Sequence, residues 1–210
     1  MMSEGTQRAM IEFWFDFGSN YSYLSMMRID ASAAEHDLRV IFKPFLLGPI
    51  FKSFGWDTSP FVLQQKKGEY TWRDMERQCA KFGMAWNKPS VFPRRALLPS
   101  RIAVMAHAQP WLGAFCRRVM AMNFVEDREV DDEAAISEVL AALGLEPGRW
   151  IALAQSEEGK AALRAQGEEA IKLGIFGAPT FFVGSEMFWG NDRLEDAIGF
   201  AVNVLAEKKT

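Results

Sequence analysis

The residues best suited to chemistry lie in three short stretches. In Phe15-Asp16-Phe17-Gly18-Ser19-Asn20-Tyr21-Ser22-Tyr23 an aromatic run ends at a glycine and a hydroxyl follows at once. Where a strand hands over to a helix, unpaired N–H groups and the positive field of the helix start favour an anion beside such a hydroxyl. A plain helix cap would also explain Ser19. Gly177-Ala178-Pro179-Thr180 stands directly before a strand-like run. A cis Ala178-Pro179 bond would expose the backbone of Ala178, whereas a trans bond would make the stretch a simple turn. In Trp189-Gly190-Asn191-Asp192-Arg193-Leu194-Glu195, Gly190 permits an unusual backbone angle, and Asp192 with Glu195 has the spacing of a capping box. Capping leaves open why Asn191 and Asp192 gather at one helix start.

Other chemistries find no support. The chain has no Gly-x-Ser-x-Gly elbow and no His, Asp or Lys suitably placed in sequence to mark Ser19 as an acyl-enzyme serine. His36 and His107 have no neighbour at metal-ligand spacing, so no metal is expected. Cys79 and Cys116 are far apart, each in a helix-like pattern, and are expected to be buried thiols. The Met and Trp residues are mostly core filler, although Trp14, Trp56, Trp86 and Trp189 could line an aromatic cavity.

The elements that must position these residues follow from periodicity. Ile11 to Phe17 reads as a strand, Ser19 to about Asp37 as a helix, and Leu38 to Phe45 as a second strand. From Leu46 to Gly174 helix signals recur in Thr71–Phe82, Ser100–Ala108, Trp111–Phe124, Asp132–Leu143 and Ser156–Leu173. Strands return at Thr180–Val183 and Glu186–Trp189, and a helix runs from about Asp192 to Ala206. The two outer pieces must share a sheet, because two strands alone are rarely stable. The spacing therefore predicts a split α/β domain, residues 10–48 and 175–207, with an all-helical insertion at 49–174.

Composition narrows the class. The 210 residues are 49% hydrophobic and 24% charged, enough to form a core without disulfides. A net charge of -3, with basic pairs such as Lys66-Lys67, Arg94-Arg95, Arg117-Arg118 and Lys208-Lys209 scattered singly, argues against nucleic acid as a partner. Met1 to Met10 lacks the pattern of a signal peptide, and no window approaches the ~18 apolar residues of a spanning helix, so a cytoplasmic protein without a membrane partner is expected.

Together the three stretches resemble, over nearly the full chain, the thioredoxin-like family of 2-hydroxychromene-2-carboxylate isomerases and kappa-class glutathione transferases, themselves similar to DsbA-type disulfide oxidoreductases. Asp16-Phe17-Gly18-Ser19-Asn20-Tyr21-Ser22 resembles the family's Asp-x-x-Ser-Pro-Tyr-Ser, with Asn20 in the proline's place and Ser19 in place of the first redox cysteine. Leu47 to Lys52 resembles the loop after the second strand, Gly177 to Thr180 the cis-proline loop, and Gly190-Asn191-Asp192-Arg193-Leu194 the family's Gly-x-Asp-Arg-Leu. The resemblance implies a DsbA-like fold, a thioredoxin-like domain with an inserted helical domain. It implies glutathione as cofactor, a small-molecule substrate and a homodimer. It assigns the glutathione sulfur to Ser19, the glutathione peptide to Ala178 and Pro179, and the γ-glutamyl end to Asn191 and Asp192. Lys67 and Asp74 are further contacts by the same resemblance, and Lys52 is a candidate for the substrate carboxylate. Trp56, beside the substrate, stands where kappa-class proteins often place an Asn.

The activity so implied is glutathione-dependent isomerisation of 2-hydroxychromene-2-carboxylate or a similar unsaturated keto acid. The alternatives are a kappa-class transferase and a non-catalytic thioredoxin-like binding protein. Disulfide exchange is disfavoured, because Ser19 and Ser22 replace the cysteine pair and exchange needs a thiolate. A free thiol near pKa ~8.5 is only a few per cent ionised at pH 7, and a hydroxyl donor plus a helix start could lower it by roughly one to two units.

Overall fold

The computed structural model describes residues 9–207. The Lys208-Lys209 pair and the chain before Ala9 lie outside them. Four strands form one sheet in the order β2-β1-β3-β4, from β1 (Met10–Phe15), β2 (Arg39–Pro44), β3 (Thr180–Val183) and β4 (Glu186–Trp189). β1 pairs parallel with β2, while the β1–β3 and β3–β4 pairs are antiparallel. The two outer pieces of the sequence thus meet at the centre of the sheet, with Trp14 opposite Thr180 and Phe13 opposite Phe181.

Alternation along β1 sends Ile11, Phe13 and Phe15 to one face and Trp14 to the other. The first face packs against α1 (Asn20–Met26), α2 (Ile29–Ala34) and the last helix, α11 (Leu194–Glu207). Its core continues without a break into α6 (Leu97–Met105), α7 (Leu112–Phe124), α8 (Glu133–Ala142) and α9 (Pro147–Gln155). Trp14, Phe45 and Phe182 on the second face meet Ile50 of α3 (Leu47–Ser53) and Ala170 of α10 (Glu157–Lys172). The remaining helices, α4 (Pro60–Leu63) and α5 (Gln65–Phe82), lie beside α1. Among the described residues no helix is long and apolar enough to cross a membrane.

The expected single helix from Ser19 to Asp37 is in fact two. Met27 caps α1, and the Arg28 side chain folds back so that its Nε donates to the Leu24 carbonyl at 3.2 Å. The guanidinium thereby takes the acceptor that a continuing helix would have used. Helix α5 begins six residues earlier than its periodicity predicts, because Gly68 lies under the Phe61 carbonyl with no room for a Cβ. Helices α3, α4 and α9 are additions to the expected set. Cys79 and Cys116 are free and buried as anticipated, and burial pushes the Cys79 thiol up to about 11.

Two outcomes are expected. Phe13→Ala removes a fully buried ring stacked 5.3 Å from Phe181, and chemical denaturation should read a loss of about 3–5 kcal/mol. A thiol reagent should modify Cys79 and Cys116 only at the rate of unfolding; fast labelling of the native protein would contradict their burial.

Candidate functional site

Ser19 caps α1 with an extended backbone (φ -85, ψ 117), and its Oγ accepts the Ser22 N–H at 3.2 Å. The same hydroxyl donates to the Ala178 carbonyl at 3.1 Å, and the Ala178-Pro179 bond is cis. The first and second stretches singled out in the sequence therefore touch through one hydroxyl. The loop bearing Ala178 is held on both sides, since Thr180 Oγ1 donates to the Gly177 carbonyl and the Gly190 N–H to that of Pro179. The Ala178 N–H has no partner among the described residues.

Asp16 fixes the turn that delivers Ser19. One carboxylate oxygen accepts the Gly18 N–H and the other the Leu47 N–H, both at 2.7 Å, while the Asp16 carbonyl accepts the Ser19 N–H at 3.0 Å. Burial raises the Asp16 carboxyl above its ordinary value, and the two N–H donors work against that rise. Gly18 is required by close approach, because a Cβ there would lie 2.9 Å from the Arg94 carbonyl.

The third stretch contributes differently from its spacing. Gly190 has φ 117, as its position suggests. The Asp192–Glu195 capping box does not form: a single 3-10 turn, Asn191–Arg193, leads into α11 instead. Asp192 is exposed beside Arg193, and Glu195 pairs with Arg28. Asn191 is buried, its Oδ1 accepting from Arg28 Nη2 at 2.7 Å and Ser25 Oγ at 3.3 Å. It is tied to the far end of the helix that Ser19 starts.

Asp74 on α5 accepts the Tyr21 hydroxyl at 2.8 Å, which brings it within two residues of Ser19. Burial and this carboxylate hold the Tyr21 hydroxyl well above its usual range. Lys67 is exposed, with its ammonium 5.9 Å from the Phe61 ring, which in turn meets Tyr21 edge-on. Lys52 and Trp56 are exposed on and just past α3, Trp56 packing on Phe51 and Phe54. No hydrogen bond or ring contact joins either to Ser19 or Ala178 among the described residues; their link to the site is the Asp16–Leu47 bond at the start of α3. The four tryptophans do not share a cavity. Trp14 is core, Trp86 stacks on Trp72, and Trp189 packs on Phe176. A cavity of about 330 Å³ lies along α2 and β2 and one of about 290 Å³ between β2 and the start of α7, and neither includes a candidate site residue. No cluster of metal-ligating side chains occurs among the described residues.

Sequence reasoning missed Arg94 and Asn123, which reach the same turn from the insertion: Asn123 Nδ2 donates to the Phe17 carbonyl at 3.2 Å and its Oδ1 accepts from Arg94 at 3.0 Å. No local pattern marks contacts of such long sequence separation. What the corner offers is a buried hydroxyl at a helix start, next to an unpaired backbone N–H. Those groups suit a small anion.

The chain is 28% identical over 194 residues to the 2-hydroxychromene-2-carboxylate isomerase of Pseudomonas putida, covering 90% of this chain and 94% of that protein. It is 27% identical over 190 residues to the protein of the same name from Sphingobium xenophagum, at 88% and 94% coverage. A solved 2-hydroxychromene-2-carboxylate isomerase superposes with a TM-score of 0.82 at 25% identity, over 96% of this chain and 100% of that one. The family model for the DSBA-like thioredoxin domain matches residues 10–198. With its sheet order, its cis-proline loop and this match over most of its length, the chain belongs to the DSBA-like thioredoxin domain family.

Proposed function

We propose that this protein is a glutathione-dependent isomerase acting on 2-hydroxychromene-2-carboxylate or a similar aromatic-derived unsaturated keto acid. The observation that carries the reading is the place of Ser19 Oγ, at the start of α1 and 3.1 Å from the carbonyl of the residue before the cis-proline. The names of the relatives supply the reaction class. Disulfide exchange finds no thiol here, since Ser19 and Ser22 occupy the turn and both cysteines are buried elsewhere.

Unpartnered polar groups around the corner support the reading. Among the described residues the Ala178 N–H, and beside Ser19 the buried Asn20 Nδ2 and Ser22 Oγ, have no hydrogen-bond partner. When bound, glutathione supplies a thiolate that adds reversibly to the conjugated double bond of the substrate, leaving a single bond free to rotate before elimination restores the thiol. Ser19 would stabilise the thiolate by turning its one hydroxyl proton from the Ala178 carbonyl to the sulfur, assisted by the N–H groups at the start of α1. The Ala178 and Pro179 backbone would hold the peptide, Asn191 and Asp192 the γ-glutamyl end, and Lys67 and Asp74 further groups. Lys52 would pair with the substrate carboxylate, with Trp56 beside the ring.

Removal of the Ser19 hydroxyl is expected to separate ionisation from binding. Calorimetry and thiolate absorbance should show Ser19→Ala binding glutathione while its thiol pKa returns toward ~8.5, with kcat/KM down about 10- to 100-fold, the range of one hydrogen bond to a charged group. No binding by the wild type would defeat the reading. Glutathione should be recovered unchanged after many turnovers; its stoichiometric loss into a conjugate would point to a transferase. Lys52→Met should raise KM about tenfold with kcat little changed, the signature of uniform substrate binding; an unchanged KM would remove Lys52 from the site.

A further inference from the structure

We infer that Asn123, aimed by Arg94, is a positioning residue for Ser19: the helical insertion sets the serine turn by a directed hydrogen bond. Asn123 sits near the end of α7 and is 1% exposed. An amide side chain can present oxygen or nitrogen to either side, and its neighbours decide. Arg94 carries only donors, and its Nη1 lies 3.0 Å from Asn123 Oδ1. The nitrogen therefore faces the Phe17 carbonyl, 3.2 Å away and two residues before Ser19.

Arg94 is itself held. Its Nη2 donates to Asp127 Oδ1 at 2.6 Å and to Ser90 Oγ at 3.3 Å, and the same carboxylate oxygen accepts the Ser90 N–H at 2.8 Å. The guanidinium keeps the Asp127 carboxyl below its usual range. The backbone of residue 94 also rests on the serine turn, since its carbonyl leaves no space for a side chain at Gly18.

Stability alone does not account for this arrangement. The Arg94 side chain is 4% exposed and its Nε has no partner among the described residues, while Asp127 is 29% exposed; an arginine buried at such a cost is commonly no more stabilising than an apolar group of equal volume. What the polar group supplies and an apolar one lacks is direction: one donor, at one place, on the carbonyl whose peptide plane leads into Gly18 and Ser19.

The test compares wild type with Asn123→Asp, which keeps volume and the Arg94 contact but removes the donor, and Asn123→Ala. Leu140→Ala, in the core of α8, serves as a control for general destabilisation. In the full chain without ligand, NMR should show the Gly18, Ser19 and Ser22 amides exchanging about tenfold faster in both Asn123 variants, while Leu140→Ala loses stability without this selective change. Unchanged protection of those three amides in both variants would overturn the inference, as would a uniform rise across the whole chain. A second readout rests on the proposed function. With glutathione added, Asn123→Asp should bind it yet raise its thiol pKa by about one unit over the wild-type complex, a roughly tenfold smaller thiolate fraction at neutral pH. Faster exchange in a protein whose wild type ignores glutathione would uphold the positioning role and sink the glutathione reading instead.

Discussion

A half-buried carboxylate organises the reactive corner. Asp16 ends the central strand's run, and its two oxygens are shared between the N–H groups of Gly18 and Leu47. Burial disfavours its charge, and backbone donors at 2.7 Å work against that cost without cancelling it. The result is that two chain directions are set at once: the turn into α1, which carries Ser19, and the entry to α3, which carries Lys52. A displacement of Asp16 would move the hydroxyl and the candidate carboxylate-binding lysine together.

The helical stretch between β2 and β3 is part of this same construction. Ile102, Phe115 and Val119 belong to one continuous core with Ile11, Phe13 and Phe181. Its polar groups reach further, to the Phe17 carbonyl through Asn123 and to Tyr21 through Asp74. The serine turn is thus enclosed by its own strand, by the cis-proline loop and by the insertion, which leaves Ser19 only 7% exposed.

Much of the fold was legible because the informative signals are local. The aromatic alternation of Ile11 to Phe17, the β-branched run at Val40-Ile41 and the turn at Gly184-Ser185 place all four strands, and Ser19 caps as its type demands. What escaped depends on tertiary contact. Arg28 folds back onto the Leu24 carbonyl at the helix break while also reaching Asn191 and Glu195 across the fold, and the Asp192–Glu195 pair does not cap, since both side chains have other partners. Polar Gln65 to Glu69 is helical because Gly68 lets α5 pass close under Phe61. In the site, Ser19, Ala178 and Pro179 came from motifs, whereas Arg94 and Asn123 could be found only once α7 was set against the serine turn.

Ser19 and Ala178 are 159 residues apart in sequence yet joined by one hydrogen bond. A chain emerging from the ribosome completes β1, β2 and every helix of the insertion before the cis-proline loop and the strand behind it exist. Sequence-distant pairing of this kind slows folding, because a large loop must close before the central strands reward it. The Ser19–Ala178 corner is therefore completed late in synthesis, and a truncated product ending before Gly177 would carry the serine without the cis-proline loop it bonds to.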